Sequence, residues 1–130
     1  MNLKKTNGLK KFPNIRDGTG KASVIDLGSN SVKMVNYNVD SQNTYKPYHQ
    51  ESSRIKLAEG LVDEVIQQSH IEKTIESLKL FRSIIDFEQI DYVLAVATSA
   101  VRDAKNNVDF IDQIRKETGF KFKILSEHEE

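Results

Sequence analysis

The sequence predicts an α/β domain built on a five-stranded mixed sheet with helices on its faces. Three observations indicate this class: short apolar runs with the two-residue period of strands, two longer segments with helical spacing, and the order of these elements. Three strands come first, and a helix, a strand, a helix and a strand follow, which indicates an antiparallel meander continued by parallel crossover units. With 130 residues and 38% hydrophobic composition, the chain is large enough for one such core.

The first three strands are predicted in the first half of the chain. SVID, residues 23–26, is a short apolar run, and residues 35–40 alternate between apolar and polar side chains. We expect these two runs to form a hairpin that LGSNS closes. A third strand is predicted from Tyr45 to Leu57, and Gly60 permits a turn after it.

The next two elements are a long helix and a buried strand. Ser69 and Glu72 match a capping box, and apolar residues then recur at helical spacing as far as Ile85. YVLAVAT, residues 92–98, is a continuous apolar run of a length that suits a strand buried on both faces. We therefore expect this strand to lie centrally in the sheet.

The last two elements are a second helix and a fifth strand. Asn107 is predicted to cap the helix, and Gly119 stands where a helix commonly ends in a left-handed residue. FKFKIL, residues 120–125, has the alternation of a strand.

Composition limits the classes of function. Basic and acidic residues number 19 each, so the net charge of +0 gives no footprint for nucleic acid. The absence of Cys excludes disulfides, thiolate metal sites and Cys nucleophiles, and no apolar run approaches the ~20 residues that cross a bilayer. We expect a cytoplasmic protein that binds neither nucleic acid nor membrane. Residues 1–20 are predicted to be a flexible basic leader, and an electrostatic arm for a polyanion is the alternative.

The loop after the first strand combines a carboxylate with anion-binding groups. Gly28 lets the backbone approach a ligand closely, and Ser29, Asn30 and Ser31 offer amides and hydroxyls to phosphate oxygens. Asp26 would repel such an anion, which favours a divalent cation, Mg²⁺ or another, that bridges carboxylate and phosphate. The alternative is a plain hairpin turn, because the same residue types are ordinary turn residues.

A second polar cluster, ATSAVRDAKN, follows the buried strand at its C-terminal end, where open α/β sheets bind ligands. Thr98 and Ser99 offer hydroxyls there, and Arg102 offers a planar cationic fork to phosphate oxygens. The alternative for Arg102 is a surface ion pair with Asp103. Two anion-binding strand ends in one small sheet favour a phosphate site.

Two basic residues near the end of the third strand could contribute to the same cleft. Arg54 and Lys56 are two residues apart, so they are predicted to face the same side of the strand. A solvated edge that discourages strand pairing is an equally good interpretation. The three histidines have no metal-ligand spacing, and no role is predicted for them.

Five segments resemble the exopolyphosphatase and guanosine pentaphosphate phosphohydrolase (Ppx/GppA) phosphatase family in order and spacing. They are VIDLGSNSVKMV, RIKLAEGL, VATSAVRDAKN, DFIDQIRKETGFKFKILS and EHEE, and the resemblance runs over about residues 23–130. It implies a ribonuclease-H-like lobe of the actin-like ATPase superfamily. It also implies that Asp26 lies near the metal, that residues 28–30 hold phosphate, and that Arg102 is the family's phosphate-binding arginine.

The resemblance further implies a catalytic acid. When ILSEHEE is aligned with the family's ISGNEEAR, the general base falls on Glu130, and Glu129 is the next candidate. Arg54 resembles a basic position before the family's RLGEGL, where this sequence has KLAEGL. The family's second phosphate loop and second lobe are not found, so we expect residues 21–130 to be the N-terminal lobe of a longer phosphatase, either excised or truncated, with weak activity alone.

The leading hypothesis is a phosphoanhydride hydrolase that removes the terminal phosphate of inorganic polyphosphate or guanosine pentaphosphate by metal-assisted attack of water. The sequence does not separate these two substrates. An actin-like kinase lobe and a non-catalytic phosphate-binding module are the alternatives. The question of a homodimer of the longer protein stays open.

Overall fold

A computed structural model describes residues 20–130, which form an α/β unit. The strands are β1 (Gly20–Leu27), β2 (Ser31–Val39), β3 (Tyr45–Arg54), β4 (Leu61–Val62), β5 (Val65–Ile66), β6 (Tyr92–Ala97) and β7 (Phe122–Ile124). The helices are α1 (Gln68–Glu88), α2 (Ser99–Arg102) and α3 (Asn107–Thr118). The predicted α/β class and the predicted order of the five main strands and two main helices are confirmed. The predicted basic leader lies outside the described residues, apart from Gly20.

The main sheet has five strands in the order β3-β2-β1-β6-β7. β1 pairs antiparallel with β2 and parallel with β6, and β6 pairs parallel with β7, so the sheet is mixed. β1 is the central strand, and β6 lies next to it inside the sheet, as the apolar run of residues 92–97 predicts. The C-terminal ends of β1, β6 and β7 therefore meet at one edge of the sheet.

The main core lies between the first face of the sheet and the helices. Alternate residues of the strands point to this face, where they meet the apolar stripes of α1 and α3. The side chains that the core buries most completely include Ile25, Leu27, Met34, Leu78, Phe81, Phe110 and Ile114. Burying each such side chain contributes roughly 1.5–3 kcal/mol, so this face supplies most of the stability.

The second face of the sheet carries the other set of alternate residues. Val24 and Tyr37 form a small apolar cluster there with Val35, Tyr45 and Leu94. Within the described residues, no helix packs against this cluster. Nearer the C-terminal edge the same face becomes polar, because β1 presents Asp26 there.

The predicted start of α1 is wrong. The helix begins at Gln68 with Gln67 as N-cap, no side chain caps it, and Ser69 contacts the ring of His70 instead. Gln67 is fixed at this position because a short hairpin, β4–β5, ends immediately before it. Both residues at the tip of the hairpin, Asp63 and Glu64, have positive φ, as a type I′ turn requires.

The predicted cap of α3 is also wrong. The N-cap is Asn106, and its side chain bonds the hairpin rather than the helix: it accepts from the N–H of Ile66 at 2.9 Å and donates to the carbonyl of Ile66 at 3.0 Å. The N–H of Lys105 donates to the carbonyl of Glu64 at 2.8 Å. At the other end, Gly119 has φ +79° and ends the helix as predicted.

β3 is shorter than predicted, and this separates Arg54 from Lys56. The strand ends at Arg54, and Lys56 has φ +57°, so the two side chains do not share a strand face. The cause is the segment that follows, whose N–H groups turn towards the β1–β2 loop.

None of the helices between residues 20 and 130 has the length and apolar character needed to cross a membrane.

Candidate functional site

The β1–β2 turn is held open by the chain that follows β3. The N–H groups of Ile55 and Lys56 donate to the carbonyl of Asn30 at 2.9 and 2.8 Å, and the N–H of Ala58 donates to that of Ser29 at 2.9 Å. Residues 55–58 thus fix the carbonyls of the turn and are called the clamp. Within residues 20–130, the N–H groups of Ser29 and Asn30 donate to no backbone carbonyl, which leaves them available to an anion.

Gly28 gives this turn room. Its N–H donates to the carbonyl of Ser31 at 3.0 Å, so that donor is already used. A Cβ added to Gly28 would meet only the Ser31 oxygen, at 3.4 Å, and would otherwise project into open space. A side chain at position 28 would therefore cost the fold little, and the glycine leaves the backbone of the turn open to close approach.

Asp26 lies on the second face with one carboxylate oxygen unsatisfied. Its Oδ1 is buried and has no hydrogen-bond partner among residues 20–130. Burial raises the pKa of Asp26, the ammonium of Lys33 opposes the increase, and the negative charge of Glu130 adds to it. Lys33 is the direct cross-strand partner of Asp26 in the β1–β2 register. A buried carboxylate oxygen without a donor is a natural ligand for a hard cation.

The loop after β6 lies beside this turn. The hydroxyls of Ser29 and Ser99 are hydrogen-bonded at 2.9 Å, and the N–H of Thr98 donates to the carbonyl of Leu27 at 3.2 Å. The parallel pairing of β1 with β6 causes this contact, because it brings the two strand ends together. The two predicted phosphate loops are thus neighbours in space.

Arg102, at the end of α2, connects these loops to the end of the chain. Its Nη1 donates to the carbonyl of Leu125 and to Oε2 of Glu130, both at 2.8 Å. The bond to Glu130 raises the pKa of Arg102, and partial desolvation acts in the opposite direction. Asp103, the predicted alternative partner, has its Oδ1 3.9 Å from Nε of Arg102.

The fold therefore brings most of the predicted residues to one edge of the sheet. The contacts described above place these residues there: Asp26, residues 28–31, Thr98, Ser99, Arg102 and Glu130. Arg54 stands directly opposite Ser31 in the β2–β3 register, with an exposed side chain. Lys56 contributes its backbone N–H to the clamp, whereas its ammonium is 3.9 Å from the Glu59 carboxylate.

Three features of the edge were not predicted from the sequence. The clamp works through backbone N–H groups, which leave no side-chain signal. Leu125 contributes only its carbonyl. Lys33 could have been found by counting, because a hairpin closed between residues 28 and 31 places residue 33 opposite residue 26.

A metal would not be held by protein side chains alone. No group of three or more His, Asp or Glu residues in the described part of the chain could hold an ion. The free Oδ1 of Asp26 fits a cation that takes one protein oxygen and its remaining ligands from phosphate and water.

Comparisons with known proteins identify the family of the chain. The model of the Ppx/GppA phosphatase family matches residues 22–130. The chain belongs to the Ppx/GppA phosphatase family. That membership, predicted from the five sequence segments, is confirmed.

Curated relatives of this Ppx/GppA chain include two named enzymes. Exopolyphosphatase 1 of Mycobacterium tuberculosis is 30% identical over 111 residues, which cover 85% of this chain and 32% of that protein. A bifunctional 3-dehydroquinate synthase/phosphatase of Fusobacterium nucleatum is 32% identical over 109 residues, 78% of this chain and 16% of that protein. The chain thus spans about a third or less of these relatives.

Solved Ppx/GppA structures have the same fold. The Aquifex aeolicus family member superposes with a TM-score of 0.78 at 26% identity, over 84% of this chain and 36% of that one. An exopolyphosphatase from Cytophaga hutchinsonii gives a TM-score of 0.75 at 27% identity, over 81% of this chain and 34% of that one. The fold implied by the family resemblance is therefore confirmed.

Proposed function

We propose that this chain is the N-terminal lobe of a phosphoanhydride hydrolase that removes the terminal phosphate of inorganic polyphosphate or guanosine pentaphosphate. The observation that carries the proposal is the contact between Arg102 and Glu130 beside the unsatisfied carboxylate of Asp26. Transfer of phosphate to water requires a positive charge, a proton acceptor and a ligand for a metal ion. At this edge of the sheet these groups are the Arg102 guanidinium, the Glu130 carboxylate and the unsatisfied oxygen of Asp26.

The terminal phosphate would lie over the β1–β2 turn. The free N–H groups of Ser29 and Asn30 would donate to its oxygens, and Ser31 and the hydroxyl-bearing pair Thr98 and Ser99 would add donors. Gly28 would allow the phosphate to approach the backbone. Arg54, opposite Ser31, would bind a phosphate further along the substrate.

Asp26 would hold a divalent cation such as Mg²⁺ through its free oxygen. When bound, such a cation supplies positive charge that offsets the charge of the phosphate oxygens. Ionised Asp26 is needed for this role, so the positive charge of Lys33 assists by keeping the pKa of Asp26 from rising further.

Glu130 would act as general base. When a phosphate takes the Nη1 donor of Arg102, the Glu130 carboxylate becomes free to accept a proton from water. The water oxygen forms a bond to the terminal phosphorus as the bridging P–O bond breaks. The leaving phosphate keeps the electron pair, and the products are orthophosphate and a substrate shortened by one phosphate.

The first experiment measures binding. Calorimetry of the chain with polyphosphate and Mg²⁺ should give an affinity that falls at least about tenfold in Arg102→Ala, because a charged donor to phosphate is lost. Arg115→Ala is the matched control, since Arg115 is an exposed arginine of α3 paired with Asp112. Equal affinities for the Arg102 variant and the original chain would remove Arg102 from the site.

The second experiment measures turnover and separates the alternatives. In the longer phosphatase of which this chain is the proposed N-terminal lobe, phosphate release from polyphosphate should fall by about two orders of magnitude or more in Glu130→Gln, because the base is lost. Glu127→Gln is the control within the same segment. Unchanged release in Glu130→Gln would reject the base, and transfer from ATP to a metabolite instead of water would identify a kinase. Binding without any turnover would identify a phosphate-binding module.

A further inference from the structure

Glu129 makes two contacts that fix the end of the described chain. Its Oε1 accepts from the backbone N–H of Ser126 at 2.9 Å, and its Oε2 accepts from Nζ of Lys123 at 2.7 Å. These contacts lower the pKa of Glu129 to about 2, with the bond from Lys123 as the largest cause. An acid held in this way is a poor proton acceptor near neutral pH.

The contact with Ser126 closes a turn of chain. The carbonyl of Ser126 accepts from the N–H groups of Glu129 at 3.0 Å and Glu130 at 3.3 Å. Together with the carboxylate bond to the Ser126 N–H, this arrangement is the half of a capping box that fixes the first turn of a helix. Ser126 to Glu129 thus form the capped turn.

The capped turn joins the two groups that accept hydrogen bonds from Nη1 of Arg102. One group is the carbonyl of Leu125, immediately before the turn, and the other is the carboxylate of Glu130, immediately after it. Leu125 is itself fixed to the sheet, because its N–H donates to the carbonyl of Ala97 at 2.8 Å. Opening of the turn would leave Leu125 in place and release Glu130.

We propose that Glu129 is a positioning residue: its carboxylate closes the capped turn on the Ser126 N–H and so holds Glu130 against Arg102. This inference rests on the proposed function, in which Glu130 is the base. It assigns to Glu129 a role in geometry rather than in proton transfer. Lys123 contributes less to holding the turn closed than the Ser126 N–H does, because an ion pair between two exposed side chains is screened by water.

The direct test is an NMR double-mutant cycle on the chain. In the original protein, Glu130→Gln should shift the Nε–Hε resonance of Arg102, because Arg102 loses its charged partner. In a Glu129→Ala background the same change should produce a shift at least about threefold smaller, since the pair is no longer formed. Glu127→Ala, which removes a charge from the same turn, should leave the response intact. An equal response with and without Glu129 would overturn the proposal.

Conservative variants show which of the two contacts of Glu129 matters more for the NMR response of Arg102. Glu129→Gln keeps an acceptor for the Ser126 N–H, so it should preserve most of the Arg102 response, and Lys123→Met should do so as well. Lys121→Met, at an exposed lysine next to β7, is the control. If Lys123→Met and Glu129→Gln both abolished the response, the ion pair rather than the bond to the Ser126 N–H would hold Glu130, and the proposal would be wrong.

Turnover distinguishes positioning from base catalysis. Glu129→Ala should lower kcat for polyphosphate about tenfold with KM nearly unchanged, because misplacing a catalytic group affects the transition state most. It should keep the pH dependence of kcat that Glu130→Gln loses. Loss of that pH dependence in Glu129→Ala, with retention in Glu130→Gln, would make Glu129 the base. Turnover that changes in neither the Glu129 nor the Glu130 variant would reject the proposed function. The NMR result would still show whether Glu129 holds Glu130 against Arg102.

Discussion

At the scale of single residues, the site depends on the charges around one carboxylate. Burial raises the pKa of Asp26, and Lys33 opposes that effect from the neighbouring strand. In the proposed function a proton and a divalent cation would compete for the same oxygen, so the ionisation of Asp26 would set the pH range in which the cation binds.

Replacement of Lys33 by Met should move cation binding to higher pH. The pKa of Asp26 would rise further once the opposing positive charge is gone, so more base is needed to ionise it. The measurement is Mg²⁺-dependent polyphosphate binding between pH 5 and pH 8 by calorimetry. Lys46→Met, a change at an exposed lysine of β3, is the control. A midpoint that stays in place would show that Lys33 does not influence Asp26.

Gly28→Ala should separate binding from folding. The added methyl group meets only the Ser31 oxygen at 3.4 Å, so the free energy of unfolding should change by less than about 1 kcal/mol. Polyphosphate affinity should fall at least about tenfold, because the methyl group occupies the space of the phosphate. Gly119→Ala should show the reverse pattern, since φ is +79° there. Thermal unfolding and calorimetry measure the two effects.

At the scale of elements, a polar cluster ties the C-terminal end of α1 to the sheet. Oε1 of Glu88 accepts from Nδ2 of Asn36 at 3.1 Å and from the hydroxyl of Tyr48 at 2.5 Å, and its Oε2 lies 2.5 Å from Nδ1 of His49. Burial acts to raise the pKa of Glu88, but these hydrogen bonds outweigh it and the pKa is lowered. His49, for which the sequence suggests no role, thus has a structural one.

Glu88→Ala should destabilise the protein by roughly 1–3 kcal/mol, because fully buried Asn36 would lose its partner. The pH dependence gives a second check. A lowered pKa in the folded state contributes stability that is present above the unfolded-state pKa and is lost as pH falls through the folded-state value. The stability difference between the original protein and Glu88→Gln should therefore shrink as pH falls from about 5 to 3. Urea unfolding at several pH values measures it, and a constant difference would contradict the assignment.

Elements with strong periodicity could be predicted from the sequence, and elements fixed by distant contacts could not. The alternation of residues 35–40 and the apolar run of 92–98 each marked a strand, because packing on the two faces of the sheet selects those patterns. Ser69 and Glu72 matched a capping box without forming one, since the β4–β5 hairpin fixes the helix start. That hairpin turns through Asp63 and Glu64, which give no recognisable I′ turn signal.

In the candidate site too, side-chain patterns could be predicted from the sequence and distant backbone contacts could not. Hydroxyls and charged groups beside strand ends were visible in the sequence, and the parallel β1–β6 pairing brought Ser29 and Ser99 together. The clamp was not visible, because it uses backbone donors. The capped turn did contain a Ser-x-x-Glu pattern, but nothing in the sequence alone distinguished it from the pattern at Ser69.

At the scale of the whole molecule, the helices cover one face of the sheet. The first face carries the large core, whereas the described residues on the second face form only a small cluster around Val24 and Tyr37. The main question is whether both faces unfold together.

We expect a single cooperative transition, because β1 contributes Ile25 and Leu27 to the first face and Val24 to the second. Two probes report the two sides: far-UV circular dichroism follows the helices, and tyrosine fluorescence follows the sheet, since the chain has four Tyr and no Trp. The two melting curves should coincide within about 2 °C. A tyrosine transition well below the helical one would show that the second face opens independently.

The bonds of Asn106 to the β4–β5 hairpin should limit insertions and deletions in that hairpin. One end of the hairpin continues from the clamp, which holds the β1–β2 turn, and the other end is hydrogen-bonded to the residues that follow Arg102. A surface hairpin would ordinarily tolerate inserted or deleted residues. Here a change of length between positions 60 and 66 would displace the loops after β1 and β6 together, so this hairpin should tolerate insertions and deletions less than most surface turns.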